Sequence, residues 1–288
     1  MIRAGVQTCQ DGLRPRRRLI GLRAALSALF LALAVLGAAT PAGAACRQAL
    51  TLGLDVSGSV DAEEYAMQRD GLASALEDPR VAQALLAMPR AAISLSIFEW
   101  SGSEFQRVLV PWTALSDLPA LASVVGQLRA SRRVAAPSTT ALGTAIAVGR
   151  AMLAQRGDCW RHTLDISGDG RSNEGPRPRD LLGTGAGPMV TVNALVIGEG
   201  GPDSGPAPGA GTGGPAAGGG TLAGTSGARP VDDLLTYFRA EVIEGPGAFA
   251  EPALGYGDYR DAMVRKLLRE IRTLAVGDAT TDLPVRAH

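Results

Sequence analysis

Histidine and cysteine are scarce in this sequence, and their scarcity limits the chemistry that the chain can perform. The 288 residues include two histidines and three cysteines. A serine hydrolase needs a histidine base beside its nucleophile, and the sequence has no Gly-x-Ser-x-Gly motif to present that nucleophile. The composition therefore argues against a hydrolase of the Ser-His-Asp type.

An excess of basic charge is also missing. Basic and acidic residues number 28 each, and the first 45 residues hold six of the arginines but one aspartate. The chain without this segment has a net charge of about −5. Nucleic acids and anionic membrane surfaces bind basic proteins, so neither is expected as a partner.

Residues 1–45 have the pattern of a secretory signal peptide. Arg14 and residues 16–18 precede an apolar run over residues 24–39, and the small residues Ala42-Gly43-Ala44 follow. The run is shorter than the ~20 residues of a membrane-spanning helix, which is the alternative interpretation. We expect cleavage near Ala44 or Ala45, a periplasmic or secreted protein, and no membrane span after cleavage. The general and the twin-arginine export routes both stay open.

Apolar periodicity predicts strands that alternate with helices after the leader. The predicted strands are residues 49–54, 91–98, 105–112, 163–167 and 189–197. The predicted helices are one after Asp55 and those over residues 115–128, 141–155, 178–182, 231–242 and 258–274. A tight link at residues 100–103 predicts a hairpin. The pattern indicates an α/β, doubly wound, mostly parallel sheet with one antiparallel edge strand and helices on both faces.

One domain over residues 46–278 is expected, and one segment inside it has a different amino-acid composition. Residues 198–230 consist mainly of Gly, Pro, Ala, Ser and Thr, which predicts a disordered insertion. Residues 279–288 are predicted to be a flexible tail. Gly209-Ala210-Gly211 is no phosphate-binding loop, because no strand and helix flank it.

Polar residues follow the predicted strands at the point where each strand ends. Asp55, Ser57 and Ser59 follow the first strand, Thr140 opens a helix, and Asp169 follows a later strand. Ligands of open parallel sheets collect beyond the carboxyl ends of the strands. Carboxylate and hydroxyl oxygens are ligands that suit Mg²⁺ or Mn²⁺.

Each of these residues also has a structural interpretation. Asp55, Ser57 and Thr140 fit helix caps, and Asp169 fits a turn. Asp165 competes with Asp169 as the third-loop carboxylate, but it lies inside the strand and is predicted to be a buried structural acid. Residues Glu99 and Ser101 are candidates for the rim of the site.

The ordered set Asp55-x-Ser57-x-Ser59, Thr140 and Asp169 resembles the metal-ion-dependent adhesion site of von Willebrand factor type A domains. The resemblance covers residues 47–275. The segments 167–170, 245–249 and 265–267 are similar to an exported bacterial type A family of unassigned function. The resemblance implies that Asp55, Ser57 and Ser59 bind the metal ion from the first loop, Thr140 from the second and Asp169 from the third. A carboxylate from a partner would complete the coordination shell.

The resemblance also bears on the cysteines. Cys9 leaves with the leader, and Cys46 and Cys159 remain in a compartment that permits disulfides. These two residues lie nine and ten residues before Asp55 and Asp169, at the starts of strands that are neighbours in the type A fold. A Cys46–Cys159 bridge is therefore expected, and two unrelated buried thiols are the alternative.

The resemblance favours an adhesion-type binding module that grips an acidic side chain of an unknown protein or peptide partner. No catalytic residue is assigned, because His162 begins a strand at the far edge and His288 is the last residue of the sequence. A metal-assisted hydrolase using Asp165 and Asp169 is one alternative. An envelope scaffold with a vestigial metal site is the other.

Overall fold

The computed structural model of the protein describes residues 45–181, 183, 189–199 and 230–277, with side chains up to residue 271. The predicted signal peptide, apart from Ala45, lies outside the described residues. So do almost all of the predicted insertion and the whole of the predicted tail.

A six-stranded sheet forms the centre of the described region. Its strands are β1 (Ala45–Asp55), β2 (Ala91–Trp100), β3 (Gln106–Leu115), β4 (His162–Gly168), β5 (Val190–Gly198) and β6 (Ala250–Leu254). The spatial order is β3-β2-β1-β4-β5-β6, and only the β2–β3 pair is antiparallel. The mostly parallel sheet with one antiparallel edge strand is thereby confirmed.

Helices cover both faces of the sheet. They are α1 (Ala62–Glu77), α2 (Pro79–Leu86), α3 (Leu118–Ala130), α4 (Leu142–Ala154), α5 (Val231–Glu241) and α6 (Tyr259–Gly277). Helices α1, α2, α3 and α6 pack into one apolar core, whereas α4 and α5 pack into the core on the opposite face. No helix in the described part of the chain has both the length and the apolar character needed to cross a membrane.

The central position of β1 explains its sequence. Leu50, Leu52 and Leu54 face the core beneath α1 and α6, while Ala49 faces the other core. A strand with a helical layer on each side must be apolar on both faces, which accounts for the nearly continuous apolar run before Asp55. The strand therefore delivers Asp55 to the carboxyl edge from the middle of the sheet.

The sequence patterns missed one helix and one strand, and they misplaced the starts of β1, which begins four residues before the predicted residue 49, and of α3. Helix α2 follows α1 after a single residue, Asp78, which caps it. Strand β6 is short and contains Pro252, so its β-signal is weak. Helix α3 begins three residues later than predicted because β3 runs on to Leu115 and the side chain of Asp117 caps the helix.

A disulfide joins Cys46 to Cys159, with a Cα–Cα distance of 4.4 Å. The bridge predicted from the sequence is thus present. It connects the start of β1 to the segment that enters β4, and Trp160 N donates a hydrogen bond of 2.9 Å to Cys46 O beside it. The bridge lies at the amino edge of the sheet, opposite the edge that carries Asp55.

Loss of this bridge is expected to destabilise the fold. The bond links residues 113 positions apart, for which loop-closure entropy gives a stabilisation of about 4–5 kcal/mol. Cys46→Ala, Cys159→Ala and the double variant should therefore lose similar amounts of unfolding free energy in urea titrations. Two free thiols in denatured, oxidised wild-type protein would contradict the bridge.

Candidate metal centre

Three loops meet at the carboxyl edge of the sheet. The first loop (residues 55–61) begins with the last residue of β1, the second loop (137–141) precedes α4, and the third loop (169–177) follows β4. Gly58 N donates to Ser138 O at 3.1 Å, and Asn173 N donates to Thr140 O at 2.9 Å. These backbone hydrogen bonds tie the first loop to the second and the second to the third.

Asp55 is the most deeply buried of the predicted ligands, with none of its surface exposed. Its Oδ1 accepts a hydrogen bond of 2.8 Å from Ser57 N. Its Oδ2 is buried and has no hydrogen-bond partner among the described residues. Burial and the nearby charge of Asp169 raise the pKa of the Asp55 carboxyl to about 8. The carboxylate thus has one oxygen without a hydrogen bond, and no cationic side chain among the described residues contributes to the shift of its pKa.

Ser57, Ser59 and Asp169 lie together beside Asp55. The hydroxyl oxygens of Ser57 and Ser59 are 3.3 Å apart, and Ser59 Oγ donates to Asp169 Oδ1 at 2.7 Å. Burial raises the pKa of Asp169 as well. Ser57 is buried and Ser59 is exposed, so this group of oxygens extends from the interior to the surface.

Thr140 is held by its backbone at the start of the α4 segment. Its N–H donates to Asn173 Oδ1 at 2.8 Å, and its carbonyl accepts from Asn173 N at 2.9 Å. Thr140 is buried. The structure therefore places the loop of Thr140 against the loops that carry the other four predicted ligands.

Two residues that the sequence patterns missed support this site. Tyr256 OH donates to Asp169 Oδ2 at 3.1 Å, and Gln68 Nε2 donates to the carbonyl of Asp55 at 2.9 Å. Tyr256 follows Gly255, whose φ of 76° is accessible to glycine and starts a sharp turn after β6. Neither residue is near a predicted ligand in sequence, so no local motif could have identified them.

Asp165 does not join the site. It is buried on β4, and the ammonium of Lys266 lies 2.7 Å from its Oδ1. These contacts fit the buried structural role that the sequence predicts for Asp165.

The expected rim position of Glu99 is wrong. Its carboxylate is buried, where it accepts hydrogen bonds from Tyr65 OH at 2.7 Å and Arg107 Nε at 2.8 Å. Ser101, also a rim candidate, is fully buried. Glu99 lies near the end of β2, and Ser101 directly follows the strand, where its carbonyl accepts a hydrogen bond of 2.7 Å from Ala141 N of the second loop.

The chemistry of the oxygen cluster fits a hard divalent cation. Two carboxylates and two hydroxyls lie together, and one buried carboxylate oxygen is free. Elsewhere in the described residues, Cys46, Asp158 and Cys159 are the one group of three Cys, His, Asp or Glu side chains within 4.8 Å. Their sulfurs form the disulfide and cannot act as thiolate ligands.

Replacement of Asp55 by asparagine is expected to stabilise the metal-free protein. Asparagine keeps the shape and the oxygen that accepts from Ser57 N but removes a buried charge, which gives a gain of about 1–3 kcal/mol in EDTA. Because the raised pKa near 8 makes wild-type stability fall as the pH rises from 4 to 8, the gain should be larger at pH 9 than at pH 5.

Urea unfolding of both proteins at these two pH values measures the difference. Asp158→Asn, at an exposed carboxylate near the opposite edge, is the control and should gain nothing. A loss of stability in Asp55→Asn at pH 9 would show that the buried charge is already compensated.

Comparison with known proteins gives one family and a group of distantly similar structures. Residues 45–275 match the family described as Protein of unknown function (DUF1194). No curated protein matches the chain.

Solved structures with a similar arrangement come from several organisms. Proximal thread matrix protein 1 from the mussel byssus is 13% identical over 80% of this chain and 49% of its own, with a TM-score of 0.48. The von Willebrand factor type A protein from Catenulispora acidiphila is 11% identical over 78% and 43%, with a TM-score of 0.49. The pilus adhesin SpaC from Lactobacillus rhamnosus GG is 13% identical over 80% and 30%, with a TM-score of 0.49.

The chain spans less than half the length of each of these three structures, and such low identities carry no information on function. The family match, by contrast, covers most of the chain, and the strand order with its antiparallel edge is that of the type A fold. The chain belongs to the DUF1194 family, a von Willebrand factor type A-like family.

Proposed function

We propose that this protein is an exported binding module that holds one divalent cation, Mg²⁺ or Mn²⁺, and grips an acidic side chain of a partner protein or peptide. The observation that carries the proposal is the buried, unpaired Oδ2 of Asp55, a carboxyl whose pKa is raised by burial and by the nearby charge of Asp169. Proteins rarely keep a buried carboxylate without a partner, so a cation is the natural complement.

The proposed ligands come from all three loops. Asp55, Ser57 and Ser59 would bind from the first loop, Thr140 from the second and Asp169 from the third. When bound, the cation supplies positive charge and an open coordination position for a carboxylate of the partner.

The oxygen cluster is buried on one side and open to solvent on the other. Asp55 and Ser57 are buried, whereas Gly58 and Ser59 are exposed, so a partner would approach from the side of Ser59. A side chain at Gly58 would place its Cβ 2.7 Å from Ser138 Cβ. Glycine therefore lets the first two loops approach closely enough to form one site.

Binding is proposed in preference to catalysis because the one histidine among the described residues, His162, lies far from the cluster. His162 begins β4 at the amino edge, and its Nε2 lies 2.7 Å from Arg156 O. The Asp165–Asp169 pair of the hydrolase alternative is divided, since Asp165 pairs with Lys266 inside the sheet. An enzymatic use of the cation would need a base from outside the described cluster.

Isothermal titration of the mature protein with Mg²⁺ and Mn²⁺ tests the metal site. We expect one site in the wild type and an affinity at least about tenfold lower in Asp55→Asn, since the variant loses a charged ligand. Asp158→Asn should bind like the wild type. Absence of binding in the wild type would reject the metal-dependent function and leave the scaffold alternative.

The partner is tested after the metal. The Mn²⁺-loaded protein should retain peptides that contain Asp or Glu from an immobilised peptide library, and EDTA should release them. Replacing the critical acid of a retained peptide by its amide should abolish retention. Retention that survives both EDTA and this replacement would contradict carboxylate recognition at the metal.

Tyr256→Phe is expected to lower metal affinity about tenfold, because Asp169 loses the hydroxyl that orients its carboxylate. Tyr259→Phe is the matched control. The two rings stack at 6.5 Å, but the Tyr259 hydroxyl pairs with Ser167 Oγ at 3.1 Å instead of Asp169. Equal affinities for the two variants in the same titration would show that Tyr256 does not position Asp169.

A further inference from the structure

A second cavity lies at the edge of the sheet opposite the metal loops. Its volume is about 290 Å³, and it opens at the amino ends of β4 and β5 on the side covered by α6. Residues that line it include Gln48, Trp160, Thr163, Asn193, Phe249 and Glu270. The cavity is therefore separated from the metal site by the length of β4.

Two buried acceptors in this lining have no hydrogen donor. Gln48 Nε2 donates to Thr163 Oγ1 at 2.9 Å, but Gln48 Oε1 has no partner among the described residues. Glu270 Oε1 accepts from Asn193 Nδ2 and Lys266 Nζ, both at 2.6 Å, while Glu270 Oε2 has none. Gln48 is 2% exposed and Glu270 is 6% exposed. Buried acceptors of this kind are normally paired, so both oxygens indicate a missing donor.

The buried charges around Glu270 are also incomplete. Asp165 and Glu270 share one ammonium, that of Lys266, which is the sole lysine of the sequence. Lys266 is fully buried, so two carboxylates and one cation lie together inside the fold. Arg161 also lines the cavity, but it is exposed at the mouth. A donor that carries positive charge would satisfy this cluster better than a neutral one.

Two large apolar side chains lie at the mouth of the cavity, beside Arg161. Trp160 is 58% exposed and Met189 is 74% exposed, although large apolar side chains are usually covered. Phe249 lies deeper, with the guanidinium of Arg269 3.8 Å from its ring centroid. The indole of Trp160 and the thioether of Met189 therefore offer an apolar surface to a ligand in the cavity, which favours a ligand with an apolar or aromatic group.

We propose that this cavity binds a small organic cation, a primary amine that bears an aromatic or aliphatic apolar group. The ammonium donates to the unpaired oxygens of Glu270 and Gln48, and the apolar group lies against Trp160 and Met189. Anionic ligands are disfavoured, because the carboxylates of Asp165 and Glu270 outnumber the ammonium of Lys266. This site is independent of the metal and of the proposed partner.

Three phenyl compounds of matched size test the proposal on the mature, disulfide-bonded protein. Phenethylamine carries an ammonium, 2-phenylethanol a hydroxyl and 3-phenylpropionate a carboxylate. We expect quenching of tryptophan fluorescence by the amine, with calorimetric affinity at least about tenfold above that of the alcohol, and no binding of the acid. Trp160→Phe should remove the fluorescence response, since Trp100 and Trp112 do not line the cavity.

Two further variants separate recognition from folding. Glu270→Gln should bind phenethylamine and 2-phenylethanol with equal affinity. Glu77→Gln, a change on the surface, should keep the wild-type ratio of the two affinities. Trp160→Ala changes an exposed residue, should fold normally, and should weaken both ligands equally. Equal wild-type affinity for amine and alcohol would overturn ammonium recognition. Absence of phenethylamine binding would overturn the site and assign the free oxygens to water.

Discussion

Three polar contacts hold one face of β4 against the segment that leads into α6. Alternate residues of β4 and the residue after it face this segment, and each meets a polar partner. Asp165 meets Lys266, Ser167 meets Tyr259, and Asp169 meets Tyr256. Side chains of a strand alternate between its two faces, so one register fixes all three contacts.

This row of polar contacts connects a part of the fold that contributes to stability with a candidate site that costs stability. Its end inside the sheet contains buried charges, which cost desolvation free energy, and the ammonium of Lys266 offsets part of that cost for Asp165 and Glu270. At the carboxyl edge of the sheet the row ends with the carboxylate of Asp169, which lies beside the buried Asp55 and its unpaired oxygen. The buried carboxyl of Asp55 beside Asp169 destabilises this edge of the sheet. The apolar cores on both faces of β1 supply the stability that offsets this cost. Functional sites commonly trade stability in this way.

The sequence was sufficient for the architecture because the responsible patterns are local. The apolar run of β1 and the alternation of strands with helices determine the fold class, and Asp55, Ser57 and Ser59 lie within five consecutive residues. Thr140 and Asp169 were candidates because one opens a predicted helix and the other follows a predicted strand, and the resemblance to a known family joined them to the first three residues.

The residues whose roles the sequence did not predict make their contacts with residues distant in sequence. Tyr256 reaches Asp169 across 87 positions, and neither has a composition signal that points to the other. Lys266 looks like an ordinary helical lysine until β4 places Asp165 against it. Glu99 was misplaced because its burial depends on Tyr65 from α1 and Arg107 from β3, which cover it together.

The disulfide divides the chain into a covalent ring and two arms. The ring runs from Cys46 to Cys159 and includes the first and second loops, while the third loop and α6 belong to the arm that follows it. A protease that cuts one peptide bond in the ring leaves both pieces attached to each other. A nicked molecule would therefore keep Asp55 and Thr140 on one covalent unit, a useful property wherever proteases have free access to the chain.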